Sequence, residues 1–185
     1  MRKTHEKDQG QRMPISGGRG AGTTRRGKRQ PGYSSQPPHP APCKVLYLIA
    51  QLGAGGEERQ LFELVKRLDR SAWEPVVVTY HGGGTYQDRL RRHGIAVIAR
   101  EKSRKLSPAF FFFLVRTIRR EGTRIIHSRL RDANHWARLA GLLTRIPVVC
   151  TSGTVSHRRA LRDVLLEAAL SPLTARLISN TRAAA

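Results

Sequence analysis

The segment KVLYLIA (44–50), the loop QLGAGG (51–56) and the helical pattern of residues 57–68 together decide the fold of this chain. The first segment is a short, nearly continuous apolar run, which is typical of a strand buried on both faces of a sheet. After the glycine-rich loop, apolar residues recur at helical spacing, at Leu61, Leu64, Val65 and Leu68. A buried strand that leads through a short loop into an amphipathic helix predicts the first half of a parallel strand–helix–strand unit.

The same alternation of strand and helix patterns continues to the end of the chain. Further strands are predicted at 75–80, 95–99, 124–128, 147–151 and 176–179, and helices at 86–93, 108–121, 133–144 and 158–170. Strict alternation with short connections predicts an α/β fold with a doubly wound, Rossmann-like parallel sheet, covered by helices on both faces. Ligands of such sheets bind outside the carboxyl ends of the strands. A site is therefore expected in the loops after the first, fourth and fifth strands.

Residues 1–42 differ in composition from the rest of the chain. They contain almost no aliphatic residue beyond Ile15, so we expect a disordered basic tail at 1–42 and a folded domain at 43–185. The formal net charge is +21, of which the nine basic and two acidic residues of the tail supply +7, leaving +14 for the domain. Such a charge favours anionic partners, namely nucleic acid, anionic lipid or phosphate-bearing substrates; alternatively, the arginines lie on solvated faces.

The cysteine pattern and the hydropathy bear on cellular location. The two cysteines, Cys43 and Cys150, have no metal-ligand spacing and are too few for a disulfide scaffold, so the sequence predicts no metal site and fits a reducing cytoplasm. The basic N-terminus is not followed by the apolar stretch of a secretory signal. No run of 18 apolar residues is present that would predict a membrane-spanning helix.

The loop after the first predicted strand carries three glycines, Gly53, Gly55 and Gly56, followed by two glutamates. Glycine lets the backbone turn tightly and approach a ligand, and the helix N-terminus that follows favours negative charge. The third glycine of the dinucleotide fingerprint would fall at Glu58, and the Lys-Ser/Thr ending of a P-loop is missing, so both of these nucleotide sites are disfavoured. The loop is either a ligand-contacting loop or a purely structural turn.

Polar residues follow the fourth predicted strand. His127 lies at its carboxyl end, where few structural roles need an imidazole, and it is the candidate catalytic residue. Arg129 and Arg131 could bind phosphate or carboxylate, or could be solvated. The simplest interpretation of Asp132 or Asn134 is a cap for the next helix.

Hydroxyl residues follow the fifth predicted strand, beginning with Thr151 and Ser152 and continuing through Gly153 and Thr154 to His157. These side chains could hydrogen-bond a sugar, or could form the turn and cap of the following helix. No Ser–His–Asp order or pair of acids at a suitable spacing predicts a hydrolase.

Four consecutive phenylalanines, 110–113, lie within the helix that Ser107 and Pro108 are expected to start. Four in a row point all round a helix, so the core can take only about two, which we expect to be Phe110 and Phe113. The others, with Arg116, Arg119 and Arg120, would form a basic, aromatic face suited to a partner or a membrane surface, or would pack against neighbouring helices.

Taken in order, these motifs resemble the N-terminal domain of family 4-type glycosyltransferases. The similarity begins at the first strand and at GGEERQL (55–61), where this family has a G-G-x-E-R-Q-L helix start. It continues through LDR (68–70), VVVTY (76–80), GIAV (94–97), RIIHSRL (124–130) with Ala133 and Asn134, IPVV (146–149) and LISNT (177–181). As an ordered set the motifs are specific, and they cover essentially all of 43–185.

The resemblance implies the acceptor-side half of a GT-B fold, in which two Rossmann-like domains face a cleft. Enzymes of this kind transfer a sugar from a nucleotide-sugar donor to an acceptor with retention of configuration, with no essential metal or cofactor. The resemblance places the donor near Gly53, Gly55 and Gly56, and sets His127 on the acceptor or sugar side. Further substrate-binding positions are assigned to Glu58, Arg129, Asn134, Thr151 and Ser152.

Two departures from the family pattern bear on catalytic competence and on the type of acceptor. Many members carry His-x-His after the fourth strand, whereas this chain has Arg129 at the second position, and many carry a histidine after the fifth strand where this chain has 151–153. We also expect the second domain of this family to lie outside these 185 residues, so that the isolated chain would be weak or inactive without a C-terminal partner chain.

The partners expected from these observations are a nucleotide-sugar and a cell-envelope glycan or lipid-linked acceptor, with peripheral contact at the anionic inner face of the membrane. The alternative is a non-catalytic binding module or degenerate fragment that has kept the fold. Nucleic-acid binding through the basic tail ranks last, because no aromatic-studded RNA-binding sheet is predicted.

Overall fold

The computed structural model describes residues 41–102, 107–152 and 161–179. The strands are β1 Cys43–Ile49, β2 Trp73–Thr79, β3 Ala96–Ala99, β4 Ile125–Arg129, β5 Val148–Ser152 and β6 Arg176–Ser179. The helices are α1 Gly56–Lys66, α2 Thr85–Arg92, α3 Pro108–Arg120, α4 Arg131–Thr144 and α5 Leu161–Leu170, with a 3-10 helix at Ser171–Leu173. Residues 1–40 of the expected disordered tail (1–42) lie outside the described residues. The expected start of the last helix, at 158–160, also lies outside them.

The six strands form one parallel sheet in the order β3-β2-β1-β4-β5-β6. The order reverses between β1 and β4, because the chain first adds strands on one side of β1 and then crosses to the other side. Tyr47 of β1 pairs in register with His127 of β4, which in turn pairs with Val149 of β5. The predicted doubly wound α/β fold is confirmed, and the carboxyl ends of β1, β4 and β5 lie side by side at the reversal point.

Alternate residues of the central strands face two separate cores, as the pleat of a strand requires. On one face, Val45, Tyr47 and Ile49 of β1 pack with residues of α1 and α2. On the other face, Leu46 and Leu48 pack with residues of α3 and α4. Both faces of β1 are therefore covered, which explains the continuous apolar run in its sequence.

The phenylalanine run distributes itself largely as the helical pattern predicts. Phe110 is fully buried in the core of the α3 and α4 face, and its ring contacts the rings of Tyr80 and Trp136. Phe113 is only partly buried, as is Phe111, and both pack against the edge of that core. Phe112 is 66% exposed. The prediction was thus right for Phe110 and only partly right for Phe113.

Helix α4 begins two residues earlier than predicted, and neither Asp132 nor Asn134 caps it. The helix starts at Arg131, and the N-cap position is occupied by Leu130, which makes no side-chain cap and has a positive φ of 74°. Asn134 lies within the first turns, where its amide is bonded to β4 and β5 instead. The capping interpretation was wrong. The capping rule considers only neighbouring residues, whereas the Asn134 side chain is used in contacts with Ser128 of β4 and Thr151 of β5.

Within the described part of the chain, no helix combines the length and the apolar character needed to cross a bilayer.

Candidate functional site

The glycine-rich loop lies at the carboxyl end of β1 and leads directly into α1. Gly55 is the N-cap of α1, and no side chain caps the helix. The Glu58 carboxylate folds back over Gly55, where it occupies the place that a Cβ atom would take. Gly56 has no atom within 4 Å of its Cβ direction, so the backbone there is open to an approaching group. The loop can therefore present main-chain N–H groups to a ligand at a helix N-terminus.

The loop after β2 supports the glycine-rich loop from one side. The N–H group of Tyr86 donates to the carbonyl of Leu52 at 2.9 Å, and that of His81 donates to the carbonyl of Ala50 at 2.7 Å. Gly84 has a φ of 152° and lies directly against the Leu52 carbonyl and the Gly53 nitrogen. The backbones of the two loops approach so closely that a side chain at position 84 has no room.

Replacing Gly84 with alanine should lower the free energy of unfolding by about 2 kcal/mol, because the new methyl group collides with the Leu52 carbonyl and the backbone there is unfavourable for L-residues. Urea denaturation followed by circular dichroism measures the change. Gly56→Ala is the matched control, since a methyl group there meets nothing within 4 Å. An unchanged midpoint for Gly84→Ala would show that the two loops do not depend on this contact.

Arg129 closes the other side of the loop. It is 5% exposed at the end of β4, and its Nε and Nη2 atoms donate to Glu57 Oε2 at 3.0 and 2.7 Å. Nη2 also donates to Gln60 Oε1 at 3.0 Å. The guanidinium predicted as a phosphate ligand is thus engaged by two residues of α1, and its direct contact with substrate stays a prediction.

His127 is the third of the five residues of β4, so it lies two residues before the carboxyl end of the strand and not at the end, where the sequence placed it. Its Nε2 atom shares a hydrogen bond of 2.8 Å with Thr151 Oγ1, and its ring packs on Tyr47 with centroids 5.2 Å apart. Burial, with the positive charge of Arg129 beside it, lowers the pKa of His127 to about 4. The imidazole is therefore neutral near pH 7 and acts there as a hydrogen-bonding group, and its catalytic role stays a prediction.

Tyr47 of β1 lies beside His127 on the same face of the sheet. Burial raises the pKa of its phenol to about 12, against the opposing effect of the nearby Arg129 and Arg70 cations. The phenol is neutral at physiological pH.

Ser128 and Asn134 lie on the opposite face of the sheet from His127. Ser128 Oγ donates to Asn134 Oδ1 at 2.7 Å, and Asn134 Nδ2 donates to the carbonyl of Thr151 at 3.4 Å. Asn134 is 4% exposed. These bonds tie α4 to β4 and β5, so the Asn134 side chain fixes the backbone beneath the rim. Its predicted contact with substrate is not tested by this geometry.

The structure brings four predicted residues together on the α1 face or at its rim, namely Gly55, His127, Arg129 and Thr151. Ser152 ends β5 and is half-buried there. Gly153, Thr154 and His157 lie outside the described residues. Among the residues that are described, no three His, Cys, Asp or Glu side chains group closely enough to hold a metal ion.

Sequence reasoning missed Glu57, Gln60, Tyr47 and Gly84. Glu57 and Gln60 entered the sequence analysis only within the GGEERQL motif, with no contact predicted for either side chain. The period-2 pattern of β1 and β4 could have placed Tyr47 beside His127, but only once the pairing register was known.

The comparisons with known proteins agree with this geometry. The sequence model of Glycosyltransferase Family 4 matches residues 54–185. The structure of HepE from Anabaena in complex with UDP superposes with a TM-score of 0.64 at 19% identity, covering 76% of this chain and 38% of that one. MurG from Acinetobacter baumannii gives a TM-score of 0.57 at 15% identity, covering 78% and 43% respectively. The chain thus spans about two fifths of the length of these structures.

No curated protein sequence matches the chain. The structural neighbours share the fold with it at low identity, whereas the family match covers most of the sequence. The parallel sheet, the glycine-rich loop at its carboxyl rim and the match over residues 54–185 together show that this chain belongs to glycosyltransferase family 4.

Proposed function

We propose that the chain is the acceptor-side domain of a retaining glycosyltransferase, which moves a sugar from a nucleotide-sugar to a cell-envelope glycan or lipid-linked acceptor. The observation that carries this proposal is the helix start at Gly55 and Gly56, open at Gly56, which lies toward the same end of the sheet as the buried imidazole of His127. Such a rim offers main-chain donors to phosphate and a neutral side chain to the sugar or acceptor.

The proposal gives each rim residue a distinct part. The N–H groups of Gly53, Gly55 and Gly56 approach the donor phosphates, where negative charge builds as the nucleotide leaves. Glu58 shields Gly55 in the free protein and must turn aside when a ligand arrives. His127 orients Thr151 at the rim through their shared hydrogen bond, and Thr151 and Ser152 contact sugar hydroxyls.

A nucleotide-sugar donor is supported by the neighbours, since the HepE structures contain UDP, UDP with glucose, or UDP-glucose. In the proposal, the other wall of the donor cleft comes from a domain beyond these 185 residues. One wall alone excludes water poorly, so we expect the 185-residue chain to transfer sugar weakly or not at all by itself.

Reconstitution tests this function. The purified chain is mixed with candidate C-terminal domains of the same family, and transfer from radiolabelled nucleotide-sugars to lipid-linked and glycan acceptors is measured. Transfer that requires both parts supports the proposal. If the chain binds nucleotide-sugar but no mixture transfers it, the protein is instead a non-catalytic binding module that has kept the fold.

We further propose that one face of the domain contacts the anionic, cytoplasmic surface of a membrane. A groove of about 560 Å³ between α3 and α4 is lined by Phe111, Trp136, Leu139, Leu142, Leu143 and Arg145. Next to it Phe112 is 66% exposed, and Leu142 is 61% exposed. The flanking charged residues Arg116, Arg119 and Arg145 are all exposed cations. Apolar side chains among cations fit an anionic lipid surface better than a neutral protein partner.

Replacing Phe112 and Leu142 with aspartate should lower the fraction of chain that sediments with phosphatidylglycerol-containing vesicles by about tenfold or more, because apolar contact is lost and two anions are added. Both side chains are largely exposed, so the fold should persist. Leu177→Asp, at another exposed apolar position, is the control. Equal binding by the double variant, or self-association of the wild-type chain without lipid, would contradict this surface assignment.

A further inference from the structure

Arg129, Glu57 and Gln60 form a cross-link between the end of β4 and the first turn of α1, here called the rim clamp. Arg129 contacts Glu57 through two nitrogens and Gln60 through one of the same two. Glu57 and Gln60 are three positions apart, so both lie on one face of the helix. Two attachment points on one helical turn fix the rotation of that turn as well as its distance from the sheet.

The helix start needs such a support. Gly55 and Gly56 have no side chains with which to fix themselves, and no side chain caps α1. On the opposite side, backbone contacts hold the loop at Leu52 and Gly84. The bonds from Arg129 therefore form a polar side-chain tie between the sheet and the helix turn that contains the open backbone at Gly56.

The rim clamp also sets the charge at the helix start. Glu57 and Glu58 put two carboxylates in the first turn of α1, where they would repel an arriving phosphate. Arg129 pairs with Glu57 at 2.7 Å in a site where its side chain is 5% exposed. One of the two negative charges is thereby balanced inside the protein, which leaves the open side of the loop more favourable to an anion.

We infer that Arg129 is a positioning residue, which holds the glycine-rich loop in its ligand-ready geometry through Glu57 and Gln60. This inference rests on the proposed function and deepens it: Arg129 acts on the donor through the loop and does not itself contact the phosphate. It predicts that loss of the guanidinium loosens residues 52–60 selectively and raises KM for the nucleotide-sugar while kcat changes less.

Hydrogen exchange of the full chain, followed by mass spectrometry, tests the rim clamp without any ligand. Arg129→Met should speed exchange in peptides covering 52–60 about tenfold, and Arg129→Lys should give an intermediate rate, because lysine lacks the planar fork. Peptides from β1 and from α3 should be unchanged. Gln60→Ala, at an exposed position, should raise exchange in the same segment by about threefold without affecting the fold.

The outcomes separate the rim clamp from the proposed function. Unchanged exchange at 52–60 in both Arg129→Met and Gln60→Ala would overturn the rim clamp. A uniform rise across all peptides of Arg129→Met, with no local rise in Gln60→Ala, would overturn it too. In the reconstituted enzyme, Arg129→Lys should raise KM for UDP-glucose about tenfold. Absence of transfer by the wild-type mixture would count against the proposed function and leave the exchange result standing.

Discussion

Replacing Glu167 of α5 with alanine should lower the free energy of unfolding by about 3–4 kcal/mol, because it strands a buried guanidinium. Arg138 of α4 is 1% exposed, and its Nη2 atom lies 2.8 Å from Glu167 Oε1. Its Nε atom donates to Thr174 Oγ1 at 2.7 Å, while Nη1 has no partner among the described residues. Burial alone would raise the pKa of the Glu167 carboxyl. The hydrogen bond and the positive charge of Arg138 outweigh burial and hold this pKa below its usual range.

A double-mutant cycle isolates this interaction. Urea denaturation is measured for Glu167→Ala, for Arg138→Met and for the two combined, and the double variant should recover most of the stability because no buried charge remains. Glu63→Ala, which breaks the ion pairs with Lys66 and Arg67 on the surface of α1, should leave the free energy of unfolding almost unchanged and serves as the control. Additive effects in the cycle would mean that Arg138 and Glu167 do not support each other.

Acidification should destabilise the protein through His127 by about 3 kcal/mol between pH 6.5 and pH 4. The pKa of the buried imidazole is about 4, whereas in the unfolded chain it returns to its ordinary value of 6.5. Between these two values the unfolded state binds the proton and the folded state does not, so stability falls as pH falls. The contribution is fully present above pH 6.5 and is lost by pH 4.

His127→Gln provides the matched comparison, since glutamine is neutral at every pH and can still bond Thr151. Free energies of unfolding are measured from pH 7.5 to pH 4 for both chains, and the difference between their pH dependences reports His127 alone. The wild-type chain should lose about 3 kcal/mol more than His127→Gln over this range. Parallel curves would mean that the imidazole titrates normally and is not buried as described.

The fold could be predicted from the sequence because its signals are local. The apolar run of β1 and the helical spacing in α1 need no knowledge of the rest of the chain, and strict alternation leaves few topologies other than a doubly wound sheet. The glycine-rich loop could be placed at the carboxyl rim for the same reason. Element boundaries were less accurate, as the early start of α4 at Arg131 shows.

The candidate site was predictable only in outline, since its decisive contacts join distant parts of the chain. Arg129 bonds Glu57 across 72 positions, and His127 bonds Thr151 across 24. The sequence suggested an arginine that either binds phosphate or carboxylate or is solvated, and an imidazole at a strand end. The register of the sheet instead turns both side chains toward α1 and buries them. Asn134 was assigned to a helix cap because the local rule could not foresee Ser128 as its partner.

The most direct measurement of the central claim is a titration of the ¹⁵N-labelled full chain with UDP-glucose, followed through its backbone amide signals. If the rim of the sheet receives the donor, the largest shifts should fall on residues 53–58, with smaller ones at the ends of β4 and β5, and Gly56→Val should abolish them. Millimolar UDP-glucose that leaves the amides of 53–58 unmoved, or that shifts only signals elsewhere, would contradict a donor site at this loop.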